Sequence, residues 1–229
     1  MSLTLLGTVH CDPDGFSRSL LFFEHYRPDL ILVEISDFAV AFREKRSPEL
    51  RKLFLERLSS VTQKLSLDLA TALAHPQIAS ILWQISLPFE YSASLAYARR
   101  CGVPLVPVDY SGFSRKWIKT WKQMISSANI ETLLSLDNFS PPVFSLYARA
   151  AQRIYEEKTF PETQPADGRL WQERENRMSA NITAALNRFG PERPVYIGGW
   201  WHLCRGENIA TLRDLQGVPG ASCLLLDRA

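Results

Sequence analysis

A chain of 229 residues is long enough to bury a real core as one domain of ordinary to large size. A hydrophobic share of 46% and a charged share of 22% fit a soluble globular protein. The net charge of +2, with no lysine or arginine run, gives nucleic-acid binding no support.

The four cysteines, Cys11, Cys101, Cys204 and Cys223, are widely spaced and form no C-x-x-C pair. That argues against a disulfide framework and a zinc–cysteine site, and suits a reducing compartment. The chain opens directly into a strand-like run, and no apolar stretch reaches the roughly 18 residues of a membrane span. The expectation is a cytoplasmic protein with no membrane span.

Ser2 to Val9 is short and apolar and reads as a buried strand. The turn residues Cys11 to Gly15 lead into a helix that stops before Pro28, and Asp29 to Ile35 is a second buried strand. Strand, helix, strand at this spacing is a βαβ unit and favours a parallel pair. Ser36 to Trp83 reads as two or three helices broken at Pro48 and Pro76. Pro88-Phe89-Glu90 opens an alanine-rich helix, Tyr91 to Cys101, stopped by Gly102. Val103 to Asp109 is a third strand, and Pro104 and Pro107 favour a sheet edge.

Ser114 to Glu157 is again helical, with a break at Asn138 to Pro142. Thr159 to Gly168 is the most loop-like stretch, either a lid or a linker. Arg169 to Phe189 is a clear helix. A strand from Val195 to Ile197, a helix from about Leu203 to Leu215 and a last strand, Ser222 to Leu226, follow. The expected fold class is α/β: a mixed or mostly parallel central sheet built from two βαβ-type halves, flanked by helices. The whole of 1–229 is read as a single α/β domain, with helical insertions or a cap at about 36–88 and 113–158.

Two strands end alike. Gly7-Thr8-Val9-His10 and Gly199-Trp200-Trp201-His202 both read G-x-x-H, and the chain has only four histidines. A histidine just past a strand end is where open α/β sheets gather ligands. His10 and His202 are therefore expected to converge on one site, as metal ligands or as general bases. The alternative for each is a hydrogen-bonded strand-end residue.

Glu34 is a lone acid in the aliphatic run Ile31 to Ile35. Burying it is costly unless it is paired or ligated. Glu90 heads a helix, where an acid is stabilised by the dipole alone. In the helix after Arg169, Glu173 and Arg177 are i,i+4 and can pair on the surface, while Arg174 can point inward as a carboxylate or oxyanion clamp. A Cys–His nucleophile pair at Cys11 is disfavoured, because adjacent strand residues face opposite ways. No Gly-rich phosphate loop and no G-x-S-x-G is present.

These motifs in their order resemble the TraB/Tiki/pheromone-shutdown family, a relative of the ChaN-like and erythromycin-esterase-like folds. The matching stretches are Gly7-Thr8-Val9-His10, Leu32-Val33-Glu34, and Glu90 with Ala93, Ala96 and Ala98. They continue with Val106 to Asp109, Glu173-Arg174-Glu175-Asn176-Arg177-Met178-Ser179, and Gly199 to Leu203. Glu175 stands where the family has Asp or Asn, Tyr110 where it has Arg, and Phe89 where it has Gly.

The resemblance implies an α/β fold with both histidines and the strand-end acids at one pocket. It implies a metal-dependent hydrolase acting on an amide, peptide or ester bond of a small-molecule or peptide substrate. His10, Glu34 and His202 would hold a divalent transition metal (Mn, Co, Zn or Fe), with Glu90 as general base. Arg174 would hold the anionic intermediate or orient Glu34. Trp200, Trp201, Asp109, Glu173 and Arg177 are candidate substrate contacts. The alternatives are a metal-independent His/Glu esterase-type hydrolase, or a non-catalytic protein that binds haem or a peptide. A homo-oligomer stays open.

Overall fold

The computed structural model describes residues 2–136, 141–156, 168–206 and 208–229. In chain order its elements are β1 (Thr4–Thr8), α1 (Gly15–Tyr26), β2 (Leu30–Val33), α2 (Asp37–Leu65), α3 (Leu69–Ala74) and α4 (Pro76–Ile85). Next come α5 (Phe89–Cys101), β3 (Leu105–Pro107), α6 (Ser111–Lys119), α7 (Trp121–Met124), α8 (Ser127–Leu134) and α9 (Val143–Tyr155). The last are α10 (Gly168–Phe189), β4 (Pro194–Gly199), α11 (Leu212–Leu215) and β5 (Cys223–Leu225), with 3-10 turns at Trp200–Leu203 and Gly220–Ser222. The loop expected at Thr159 to Gly168 lies, but for Gly168, outside the described residues, as does most of the break at Asn138 to Pro142.

The chain divides into two compact units. The first, Met1–Asp37, Phe89–Tyr110 and Pro142–Ala229, is α/β. Its five strands form one parallel sheet in the order β3-β2-β4-β1-β5. Strands β1, β2 and β4 are buried along their whole length, which is why they read as near-continuous apolar runs rather than alternating ones. The proline-flanked β3 sits at the sheet edge, where a missing N–H is tolerated.

The order places the last strands among the first. The chain leaves β1 toward β2 and leaves β4 toward β5, in opposite directions across neighbouring strands. Right-handed crossovers then put the two sets of helices on opposite faces. Accordingly α1 packs on α5, and α10 on α11. The crevice at the C-terminal ends of β1 and β4 is thus a topological switch point.

The second unit, Phe38–Pro88 and Ser111–Pro141, is helical. Phe54, Leu58, Val61, Ile78, Ile81, Ile85, Trp121, Ile125 and Ile130 form its core. The expected helical segment 113–158 divides at this boundary, since α9 belongs to the sheet unit.

Two local expectations differ from the structure. Pro48 does not break a helix; α2 runs through it. One lost N–H is outweighed by the buried residues Phe54, Leu58, Val61 and Thr62 that the same helix contributes further on. Pro76 does mark a boundary, as the first residue of α4 behind an N-cap at His75. The helix expected over Leu203 to Leu215 is only a 3-10 turn and the short α11. There Thr211 donates to the Cys204 carbonyl at 2.6 Å and forms a capping box with Asp214, so side chains compete for the backbone groups and restart the helix at Leu212.

Candidate functional site

The site is built from the C-terminal ends of adjacent strands. Thr8 pairs with Gly199 across β1 and β4, and Val33 pairs with Ile197 across β2 and β4. One residue beyond Val33, Glu34 donates its N–H to Ile197 O at 3.0 Å, so its side chain enters beside Gly198. Past the edge strand, Asp109 joins from β3, its N–H bonded to Ile35 O at 3.1 Å. The 3-10 turn after β4 delivers His202, and α10 supplies Arg174 and Glu175.

Glu34 is the hub. Its side chain is 5% exposed, and both oxygens are occupied. Oε1 accepts from Arg174 Nη2 at 2.5 Å and lies 3.0 Å from His202 Nε2. Oε2 accepts from the Gly199 N–H at 2.5 Å and from the Tyr196 hydroxyl at 3.5 Å, and faces His10 Nε2 at 3.8 Å. Burial alone would raise this carboxyl. His202, Arg174 and His10 outweigh burial and hold it well below the usual carboxylate range. Tyr196 is pushed well above its ordinary value by burial and by the Glu34 and Glu175 charges, so it stays a neutral donor.

Arg174 grips two acids. Besides Glu34 it donates to Asp109 in a fork, Nε to Oδ1 at 2.8 Å and Nη2 to Oδ2 at 3.0 Å. Its guanidinium also lies 5.2 Å from the Trp171 ring centre. Trp171 stacks flat on His202, with ring centroids 5.8 Å apart and an interplanar angle of 3°. His202 is buried between two acids, with Nδ1 2.6 Å from Glu175 Oε1 in an ion-pair contact. Burial opposes its charge, but Glu175 and Glu34 prevail and raise it to about 10.

His10 is the exposed partner. Its Nδ1 is 2.8 Å from Glu90 Oε1, which also accepts from the Thr8 hydroxyl at 2.7 Å. Its side chain is 60% exposed, against 3% for Glu90. Desolvation lowers the imidazole, and Glu90 and then Glu34 raise it, with a net rise to about 9. The turn that carries His10 is pinned below it. Asp12 accepts from Arg18, the Asp14 N–H and the Tyr147 hydroxyl, and the Val9 N–H donates to Tyr147 at 3.3 Å. Burial raises the Cys11 thiol, which disfavours a thiolate nucleophile there.

Close approach constrains the two glycines of β4, most at Gly198, where a Cβ would also meet the Tyr196 hydroxyl and Glu34 Cβ, and less at Gly199, where the exposed His10 ring can give way. A Cβ on Gly198 would lie 2.6 Å from Glu34 Oε2, and one on Gly199 2.8 Å from His10 Nε2. Gly198→Ala is expected to cost about 1–3 kcal/mol through this overpacking. Urea denaturation checks it, and a loss under about 0.5 kcal/mol would show that Glu34 can step aside.

The structure brings His10, Glu34, Glu90, Asp109, Arg174 and His202 into one connected network. Other expected contacts stand apart from it. Glu173 and Arg177 are exposed, and Arg177 lies 5.8 Å from the Tyr110 ring centre. Trp200 is buried and stacks on the 40%-exposed Trp201 at 4.6 Å, with Arg153 over the outer ring. Sequence reasoning missed Glu175, Trp171, Thr8 and Tyr196 as members. Glu175 could have been found by spacing, since it shares the helical stripe of Met178, Ile182 and Leu186.

As arranged, the donors do not fit a divalent ion at His10, Glu34 and His202. Both Glu34 oxygens are engaged, both His202 nitrogens face carboxylates, and only His10 Nε2 is open. Among the described residues no group of three His, Cys, Asp or Glu side chains has metal-holding geometry. Among them, too, no helix is long and apolar enough to cross a membrane.

Compared with known proteins, the chain matches no family model, no curated protein and no solved structure.

Proposed function

We propose that the protein is a hydrolase of an ester or amide bond, with His10 as the general base toward water and no metal in the step. One observation carries this reading: His10 has one nitrogen held by a buried carboxylate and the other open toward solvent. That is the geometry of a base and its orienter. The Nδ1–H donates to Glu90 and leaves the Nε2 lone pair for the water proton. The water oxygen bonds to the carbonyl carbon. On collapse, His10 returns the proton to the leaving alkoxide or amine, so acid and alcohol or amine leave and the imidazole is restored. Glu34 Oε2, 3.8 Å from Nε2, provides a second acceptor for the same water. Arg174, spent on Glu34 and Asp109, orients Glu34 rather than holding an oxyanion. The motif order that resembles the TraB and erythromycin-esterase-like proteins supports the same class.

The test is turnover of an ester and amide panel with a chelator present. His10→Gln is expected to lose at least about 100-fold in kcat/KM. Turnover of no panel member sinks the reading, and activity lost to chelator and restored by Mn, Co or Zn would return the metal-assisted route.

The pH profile is a separate check. His10 must be neutral to act, so kcat/KM should rise with pH between its ordinary 6.5 and about 9, with solvent screening at the exposed ring favouring the lower part. Glu90→Gln removes a charge that raises His10, so the limb should move to lower pH while the rate falls. A profile that falls over this range would make His10 an acid instead.

A further inference from the structure

Acids and imidazoles alternate through the site. Glu175 Oε1 meets His202 Nδ1 at 2.6 Å, and His202 Nε2 meets Glu34 Oε1 at 3.0 Å. Glu34 Oε2 faces His10 Nε2 at 3.8 Å, and His10 Nδ1 meets Glu90 Oε1 at 2.8 Å. The outer imidazole, His10, is 60% exposed, and the inner acid, Glu175, is fully buried.

Glu175 has no part in the step proposed above. It sits on the buried stripe of α10 with Met178, Ile182, Ala185 and Leu186, all apolar. Neither of its oxygens makes a hydrogen bond among the described residues, and its one close charged partner there is His202. A buried acid so sparsely bonded is poor for stability, and an apolar residue of similar volume would pack at least as well. Its place on the stripe is accounted for by what it does to His202.

We propose that Glu175 is a positioning residue that holds His202 against Glu34 and so fixes the carboxylate facing His10. This rests on the reading that His10 carries the proton. The imidazole of His202 presents one nitrogen to each acid, which requires a hydrogen on both. Arg174 and Glu175 are neighbours on α10, so one helix turn holds Glu34 twice, directly through the guanidinium and indirectly through His202. Without the Glu175 charge, His202 can lose a hydrogen or rotate, and Glu34 keeps, among the described residues, Arg174, the Gly199 N–H, Tyr196 and the more distant His10.

The experiment is nitrogen NMR of histidine-labelled protein at neutral pH, with His202 assigned by its loss in His202→Gln, alongside steady-state kinetics. In the wild type both His202 nitrogens should carry hydrogen. In Glu175→Gln one should lose it, and kcat should fall about 10–100-fold with KM within about twofold, as for a misplaced group that does not touch substrate. Glu175→Met, which keeps the volume and removes the charge, should behave the same way. A singly protonated His202 in the wild type overturns the proposal even if neither variant folds. So does an unchanged His202 and kcat in a folded variant, or a rise in KM alone. If the wild type turns over no substrate, the hydrolase reading fails while the spectra still decide whether Glu175 holds His202.

Discussion

Arg174→Met is expected to destabilise the α/β unit by about 3–5 kcal/mol, measured by urea denaturation. The guanidinium is 9% exposed and serves two carboxylates that are themselves 5% and 8% exposed. Methionine fills much of the same volume, so the loss would report charge rather than a cavity. What remains is two buried acids close together, with His202 and His10 as the nearest cations to Glu34. Asp109→Asn added to Arg174→Met should recover part of the loss, because the amide needs no counter-charge. If Arg174→Met costs less than about 1 kcal/mol, water reaches the pair, and the Glu34 hub is looser than its distances imply.

Alkaline pH should act on the same network from the other side. His202 titrates at about 10 in the folded protein against 6.5 for an ordinary imidazole. A group raised on folding contributes fully below its unfolded value, and that contribution is lost as pH rises through the folded value. Stability should therefore decline from about pH 6.5 and keep falling to about pH 10, by roughly 3–5 kcal/mol in all. Glu34 has the opposite sign: its contribution is present above the ordinary carboxylate range and is lost as pH falls through its depressed folded value. The maximum should lie between the two, near pH 5–6.5. Buried Tyr196 also favours the lower pH, but only above its ordinary value of 10. His202→Gln should reduce the decline below pH 10, leaving the part from His10, which is raised to about 9 and is exposed. A wild-type curve already flat from pH 6.5 to 10 would mean that His202 is neutral in the folded protein.

Much of this network could be read from the sequence because strands announce their ends. Glu34 interrupts an aliphatic run, and His10 and His202 follow glycines at fixed spacing, so each stands out against its neighbours. Parallel strands then align these ends without further information. Glu90 reads as a helix cap from its local sequence, and the packing of α5 against α1 and β2 is what brings it to Thr8 and His10. Glu175 was obscured because acids on helices usually face solvent. Its burial depends on which stripe of α10 meets the sheet, a tertiary fact. The proline in α2 and the interrupted segment after Leu203 depart from the sequence expectation for a related reason: packing in the first, and the Thr211 and Asp214 side chains in the second, override backbone preference.

The strand order also bears on how the chain comes to be folded. Strand β1 precedes the other four strands in the chain, yet both of its neighbours, β4 and β5, lie within residues 194–225. During synthesis the ribosome must deliver all of the chain between β1 and β4 before β1 can find a partner. The helical unit, whose core residues fall within 54–130, can collect its contacts earlier. A nascent chain stalled before β4 should therefore hold a protected helical unit and an unprotected apolar β1, and would depend on a chaperone to keep that strand from other chains.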